Sequence, residues 1–585
     1  MYMEYELYKD LKLKTNFGVD FNSYSRSYYR PSTLPTSLDR VPPSVPEGSK
    51  RDKNMLNWVW ENTLSYVKIF KQDHHLSAVA GWSAQKESAN TSLIAGNGYP
   101  NDLVHTINAA SAITNWSATA YEWSLLSALA RAQYSYKGKY MLSAAVRADG
   151  SSRFGKNNRW GTFPSVSAGW YVSEEDFMKN LNWLSSLKLR ASYGVSGNFN
   201  IGNYDYYATL SEDNYVYGKN DGTLANGLYP STAGNPDLGW EKTAMLNLGL
   251  EFGLFNMFTF ELDWYTSTTS DMLLDVPVAE FSGFSTIPMN IGKVSNKGIE
   301  FSLATTNKWG DFTWNNRFNI SANRNEVVDL GGAEEMLTTT ESVTFITKVG
   351  EPIGNYYTLV TDGVFANQAE IDNSKDPDKT KRKYAYVEGA KPGDFRYKDI
   401  DGNGEINEND RTITGNYMPK FTYGFSTEMK YKNLDLAVSL QGVQGNKIAN
   451  IFRRYIDNME GGNNCQIDAL DRWVSEDDPG SGLVVRANRS ATGMNGTTST
   501  WHIEDGSYLR IKNITLGYTL PKDWLSNVGI NHLRVYLSTQ NPFTFTKYSG
   551  YNPEVNMKGN SLTPGIDYGT YPLAKSFVFG LNVTF

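Results

Sequence analysis

What the chain has little of narrows the field first. There is one cysteine in 585 residues, Cys465, in a Gly/Asn-rich stretch. A single thiol excludes an intrachain disulfide and a cysteine-rich zinc site, and it reads as incidental. Histidine is scarce too, with five in all. The adjacent pair His74-His75 follows a short turn after Phe70; neighbours on a strand point to opposite faces, so the pair reads as turn surface rather than a shared metal ligand. No run of about 20 apolar residues exists, which excludes a transmembrane helix. Positive charge is in deficit, with a net charge of −7 and a pI near 5.5, which argues against nucleic acid as a partner. There is no G-x-S-x-G elbow, H-E-x-x-H or Walker loop, and no carboxylates form an acid/base motif, so the chain reads as no enzyme. The first residues, MYMEYELYKDLKLKTNFGVDF, show no basic n-region, apolar h-region or small-residue cleavage site of an export signal.

What is present is a strand of period two, repeated. Phe258, Phe260, Leu262 and Trp264 alternate with Thr259, Glu261, Asp263 and Tyr265. Leu434, Leu436, Val438 and Leu440 alternate with Asp435, Ala437, Ser439 and Gln441, and the same pattern runs through 246–252 and 312–321. A mean hydropathy of −0.46 is compatible with a membrane barrel, because a tilted spanning strand needs only about 9–11 residues, every second one apolar. Connections alternate between short (Tyr136 to Tyr140, Gly253 to Asn256, from Asn307, Tyr431 to Asn433) and long (roughly 198–239, 325–420, 445–506 and 542–574). Outer-membrane barrels place short turns on the periplasmic side and long loops outside, whereas a soluble sandwich has no reason to gather its long loops at one end. From Lys9 onward about sixteen strands of spanning length can be counted. The last of them, Phe577, Phe579, Leu581, Val583 and Phe585 against Val578, Gly580, Asn582 and Thr584, ends the chain on an aromatic residue, as bacterial outer-membrane proteins commonly do. The fold class expected is all-β, a transmembrane antiparallel β-barrel over residues 1–585.

Several long segments carry a resemblance. RADGSSRFGKNNRWGTFPSVSAGWYVSEEDFM (Arg147–Met178), NPDLGWEKTAMLNLGLEF (Asn235–Phe252) and NIGKVSNKGIEFSL (Asn290–Leu303) are three of them. GDFRYKDIDGNGEINENDRTITG (Gly393–Gly415), DGSYLRIKNITLGYTLP (Asp505–Pro521) and VYLSTQNPFTFTKYSGYNPEVN (Val535–Asn556) are three more. The chain resembles the SusC/RagA group of TonB-dependent receptors across most of its length. The resemblance implies a twenty-two-stranded barrel with a plug in its lumen and an extension before the plug. By that standard the chain corresponds to the C-terminal part, about six strands short, with plug and TonB-contacting box missing. It implies import of oligosaccharides or peptides across the outer membrane of a Gram-negative, Bacteroidetes-type cell. A SusD-like lipoprotein would cap the barrel, the TonB complex would act through the missing N-terminal part, and outer-membrane lipid would surround the wall. A passive porin-like or adhesion barrel without energy coupling is the alternative.

One local motif stands apart. Asp399, Asp401, Asn403, Gly404, Glu405 and Asp410 fit the EF-hand-type calcium loop, with oxygen groups at positions one, three and five, glycine at six and a carboxylate at twelve. Asp410 stands where glutamate is usual, and no helical pattern flanks the loop. Ca2+ or a related hard cation is expected on Asp399, Asp401, Asn403, Glu405 and Asp410, as a stiffener of a long loop. The rival reading is a metal-free Asp/Gly/Asn turn. Loop tyrosines at 204, 206, 207, 215, 217, 356, 357, 548 and 551 read as girdle or loop packing, and none is assigned to ligand.

Overall fold

The computed structural model describes residues 1–35, 42–218, 222–457, 459, 463–488, 492–525, 529–557 and 560–585. The chain divides into two compact units: Met1–Trp170 with Ala191–Leu246 and Thr269–Ile291, and Tyr171–Arg190 with Asn247–Thr268 and Gly292–Phe585. No helix among the described residues is long and apolar enough to cross a membrane.

In the first unit, β1 (Tyr2–Tyr8), β2 (Leu11–Arg30), β3 (Glu47–Phe70), β4 (His74–Asn97), β5 (Ala112–Tyr136), β6 (Tyr140–Ser151) and β7 (Trp160–Tyr171) each pair antiparallel with the next. β1 precedes Lys9, where the sequence pattern starts its first strand; among the described residues seventeen strands take part in long ladders. The turns at one end are short and built on residues with positive φ: Asp10 (69°), Lys71 (49°) with Gln72 (67°), and Lys137 (53°) with Gly138 (67°). Such turns match the twist of the flanking strands.

β3, β4 and β5 run to 24, 24 and 25 residues, more than twice the roughly 9–11 residues a membrane span requires. Side-chain chemistry divides each strand. On one face of β4, Leu76, Ala78, Ala80, Trp82 and Ala84 are followed by Lys86, Ser88, Asn90 and Ser92. Lys86 is 2.9 Å from the Glu122 carboxylate on β5, so ionic chemistry begins where the apolar stretch ends. The other face carries Ser127, Arg131, Gln133, Arg147 and Asp149; the Arg147 guanidinium donates to Asp149 (2.8 Å) and to the Ser127 hydroxyl (3.0 Å). His74 and His75 open β4, and His74 Nδ1 meets the Tyr134 hydroxyl at 2.6 Å.

In the second unit, Lys293–Trp309, Phe312–Asp329, Phe421–Tyr431, Leu434–Gln444, Tyr508–Thr519, His532–Thr546 and Ser576–Thr584 pair antiparallel in succession. Phe577, Phe579 and Leu581 are more than half exposed, the apolar face predicted for the last strand. Opposite faces hold ion pairs: Arg534 with Asp435, and Arg190 with Glu251 (2.6 Å) and Asp263 (3.0 Å). The Tyr265 ring covers Gly298, where a Cβ would fall 2.3 Å from the ring, and its hydroxyl donates to Asn323 at 3.0 Å. Overpacking of this kind costs about 1–3 kcal/mol. Gly298→Val is therefore expected to lower the midpoint of heat-modified gel mobility, and an unchanged midpoint would refute the packing account.

Burial is concentrated elsewhere. The long connections of the second unit fold on a core of their own. Leu359, Val364, Phe365, Ile371, Val387, Phe395, Tyr397 and Val485 form one cluster, and Val343, Phe345, Tyr356, Ala449, Ile451 and Ile566 a second. A wall strand exposes both its faces, so dry packing is left to the segments between strands.

Candidate functional site

The motif loop lies between the Phe395–Tyr397 strand and the Thr412–Gly415 strand, and closes on a single 3-10 turn, Glu408–Asp410. Its shape follows from its short polar side chains. Asp399 accepts from the Gly402 and Gly404 amides (2.8 and 2.7 Å), Asp401 from Asn403, and Asn403 from Glu405. Each is the local side-chain-to-backbone bond that Asp and Asn favour in turns. Gly402 and Gly404 take φ of 73° and 81°, where a side chain would be strained. Asp410, fully buried, reaches back across the loop to accept from Ile400 (2.8 Å) and Asn407 (2.8 Å).

Carboxylate oxygens of Asp399, Asp401 and Asp410 thereby lie within 4.8 Å of one another. The Asn403 amide oxygen is engaged by the Glu405 amide at 2.7 Å, and the exposed Glu405 carboxylate stands outside the three-acid group. An EF-hand-type loop asks only a backbone carbonyl of its seventh position, which here is Glu405. Lys379 and Arg382 bind the Asn403 and Gly404 carbonyls from outside the ring. Chemically, the arrangement offers a hard cation three charged oxygens on a pre-bent loop.

Around this loop, buried polar groups hold the connections together. Asp394 is fully buried and accepts four bonds: from the Lys391 amide (2.9 Å), Arg486 (2.9 Å), the Thr492 hydroxyl (2.8 Å) and the Asn495 side chain (3.0 Å). Arg510 is equally buried. It pairs with Glu554, donates to Asn552 (2.8 Å) and to Thr544 (2.9 Å), and so pins the 552–554 segment to the wall. Of the loop tyrosines, Tyr356 and Tyr548 are core residues. The Tyr356 hydroxyl sits 2.9 Å from the Gly565 carbonyl and 3.2 Å from those of Lys447 and Pro564. Tyr548 donates to Asp567 at 2.6 Å. Burial pushes both phenols well above their ordinary range, and the Asp567 charge adds to this at Tyr548. His502, also fully buried, has its pKa pushed down to about 3, by burial first and then by the Arg453 and Arg454 charges. Tyr215, Tyr217 and Tyr551 are about two-thirds exposed.

Two-faced antiparallel ladders with short turns at one end and long packed connections define a wall-forming β protein. The chain belongs to the family described as TonB dependent receptor-like, beta-barrel, whose model matches residues 3–541; the family consists of receptors and transporters, not enzymes. TonB-dependent receptor P3 of Formosa agariphila is 33% identical over 600 residues, covering 100% of this chain and 57% of the relative. TonB-dependent receptor SusC of Bacteroides thetaiotaomicron is 32% identical over 480 residues, covering 80% of this chain and 44% of SusC. The RagAB peptide transporter structure superposes with a TM-score of 0.82 at 28% identity, over 100% of this chain and 61% of the matched one. The chain spans 57–58% of the length of the Formosa relatives it matches.

Proposed function

We propose that this chain supplies wall and outer loops of an outer-membrane importer driven by the TonB complex, working with a SusD-like surface lipoprotein on oligosaccharides or peptides. The observation that carries the reading is the division of the long strands. An apolar stretch of membrane-spanning length (Leu76–Ala84 on β4) backs onto a polar face and continues into ionic surface. That is the pattern of a barrel with a wet interior whose strands rise above the membrane. The matched RagAB transporter is named for peptides, which favours peptide as the first substrate class to try. The decisive experiment compares uptake of labelled oligopeptides and oligosaccharides by cells expressing the intact receptor, with and without functional TonB. Uptake lost without TonB is expected. Equal uptake in both, with open-channel conductance in planar bilayers, would establish the passive-barrel alternative instead.

We also propose Ca2+ as a structural ion of the 399–410 loop, held by Asp399, Asp401 and Asp410 with the Glu405 carbonyl, and with the Asn403 side-chain oxygen on rotation. Loop closure by a cation protects the adjoining chain. Calcium is expected to slow tryptic cleavage between Lys379 and Arg411 relative to chelator, and Asp399→Ala should abolish the difference. Identical digestion rates in calcium and chelator would leave the loop a metal-free turn.

A further inference from the structure

Three of the segments singled out in the sequence meet at one groove of the first unit. Arg147–Met178 brings Asn157 and Trp160, Asn235–Phe252 brings Asp237, Trp240 and Lys242, and Asn290 heads the third; Asp271 completes the rim. The groove has a volume of ≈ 260 Å³, smaller than the roughly 300–1,000 Å³ of pockets that take drug-sized ligands. It fits one ring rather than a chain.

Its floor is rigid. Trp240 is buried against Phe154 and Phe163, at ring-centre distances of 5.3 and 5.2 Å, and its indole N–H donates to the Arg159 carbonyl at 3.0 Å. Asn290 clasps the other side, donating to the Gly239 and Asp271 carbonyls (2.9 Å each) and accepting from the Gly239 amide at 2.7 Å. Its platform is Trp160. This indole lies flat over Gly150, where an added Cβ would come within 2.9 Å of three ring atoms, yet the residue is 57% exposed. One ring face is seated on backbone and the other is open. Around it the side chains of Asn157, Asp237, Lys242 and Asp271 have no hydrogen-bond or ion-pair partner among the described residues.

An open aromatic face ringed by unpaired carboxylates, an amide and an ammonium suits a sugar ring. Ring C–H groups rest on the electron-rich indole face, while hydroxyls donate to carboxylates and accept from Lys and Asn. Net negative charge at the rim disfavours a bare anion. Position indicates where the sugar comes from. Trp160 and Trp170 lie on the same face of β7 as Val166 and opposite Gly150 and Tyr140. Ten residues of strand between them cover about 33 Å, or about 25 Å of depth at a tilt near 40°, the height of an apolar band between its aromatic girdles. The open face of Trp160 thus lies on the lipid side, at one edge of the band, while Trp240 on the groove's floor packs on Phe163 from the opposite face of β7.

We propose that the Trp160 groove holds a sugar ring of a glycolipid headgroup from the surrounding outer leaflet, rather than transported cargo. The inference rests on the membrane reading above. The test uses the intact receptor in nanodiscs of phosphatidylcholine with lipooligosaccharide, with glycolipid retention read by mass spectrometry after lipid exchange and insertion checked by heat-modified mobility in the same samples. Trp160→Ala and the Asp237→Asn/Asp271→Asn pair should each reduce retained glycolipid about threefold to tenfold, the effect of losing one stacking or polar contact set. Trp160→Phe should restore most of it. If the carboxamide pair retains glycolipid like the parent, Trp160 is only a girdle residue and the proposal fails. It fails too if the delipidated headgroup oligosaccharide competes as strongly as the intact lipid, which would make the groove a free-sugar site. Parent protein that does not insert would instead overturn the membrane reading, and the inference with it.

Discussion

Asp394→Ala is expected to unfold the packed connections while leaving the wall strands paired. The Asp394 carboxylate is completely enclosed and answers four donors from residues 391, 486, 492 and 495. Alanine leaves the Arg486 guanidinium, 21% exposed, facing a void lined by orphaned donors. Breaking a buried pair by deleting one partner costs about 3–5 kcal/mol, and a buried donor left unmade adds to it. The ladders of the connections are short, two to four strands of two to six residues, so the loss should appear as local opening. Hydrogen exchange should rise across 359–406, 485–488 and 492–502, with the Phe421–Tyr431 and Leu434–Gln444 strands still protected. Asp394→Asn keeps an acceptor for Arg486 but loses the charge, and should fall between the two. Protection unchanged in the alanine variant would mean that the knot contributes nothing to the fold of the connections.

Acidification is expected to weaken the same region, through His502. Its folded pKa is pushed down to about 3 from the ordinary histidine value of 6.5. For a depressed histidine the unfolded chain takes up the proton first. Above about pH 6.5 both states are neutral and nothing is lost; between about 6.5 and 3 the unfolded state binds more protons, so stability falls as pH falls. By pH 4.5 the penalty amounts to about 2–3 kcal/mol. The geometry explains why the folded state resists protonation. Nδ1 accepts from the Ser499 amide at 3.3 Å, which puts the ring proton on Nε2, and Nε2 is buried without a partner among the described residues. A second proton would oppose that amide and sit near two arginines. Exchange rates around 499–505 measured from pH 7 to pH 4.5 should climb in the parent. In His502→Asn, which keeps an acceptor but does not titrate, they should stay flatter. Parallel climbs in both proteins would assign the effect to other groups.

The wall was legible in the sequence because its information is local. Alternation of period two puts Phe577, Phe579 and Leu581 on one face whatever lies elsewhere in the chain; the short turns at 137–139 and 432–433 sit where the breaks in alternation place them, while those at 255–257 and 310–311 fall one to three residues later than the breaks at Gly253 and Asn307. The approach of Asp399, Asp401 and Asp410 was legible for the same reason, since all three fall within one turn-forming stretch. The interior of the long connections was not. Asp394 finds Arg486 across 92 residues and Tyr356 finds Gly565 across 209; no spacing rule reaches that far. Tyr356 and Tyr548 look in the sequence like the exposed Tyr217 and Tyr551, and only the packing separates them. The extra strand β1 lies outside the pattern of spanning length because Tyr2–Tyr8 has only seven residues.

The bond from Tyr356 to Gly565 also sets an order of assembly. The second core of the connections closes only when Ile566 packs beside Val343 and Tyr356, and the parallel bridge from Ala449 to Ile566 joins the same late segment. Contacts of such long sequence separation form slowly, since the intervening chain must be confined first. Residues near 340–360 must therefore wait, unpacked, for partners more than two hundred residues later in the chain. A chain cut short of residue 565 therefore loses this second core and the last ladder strand, Ser576–Thr584, together.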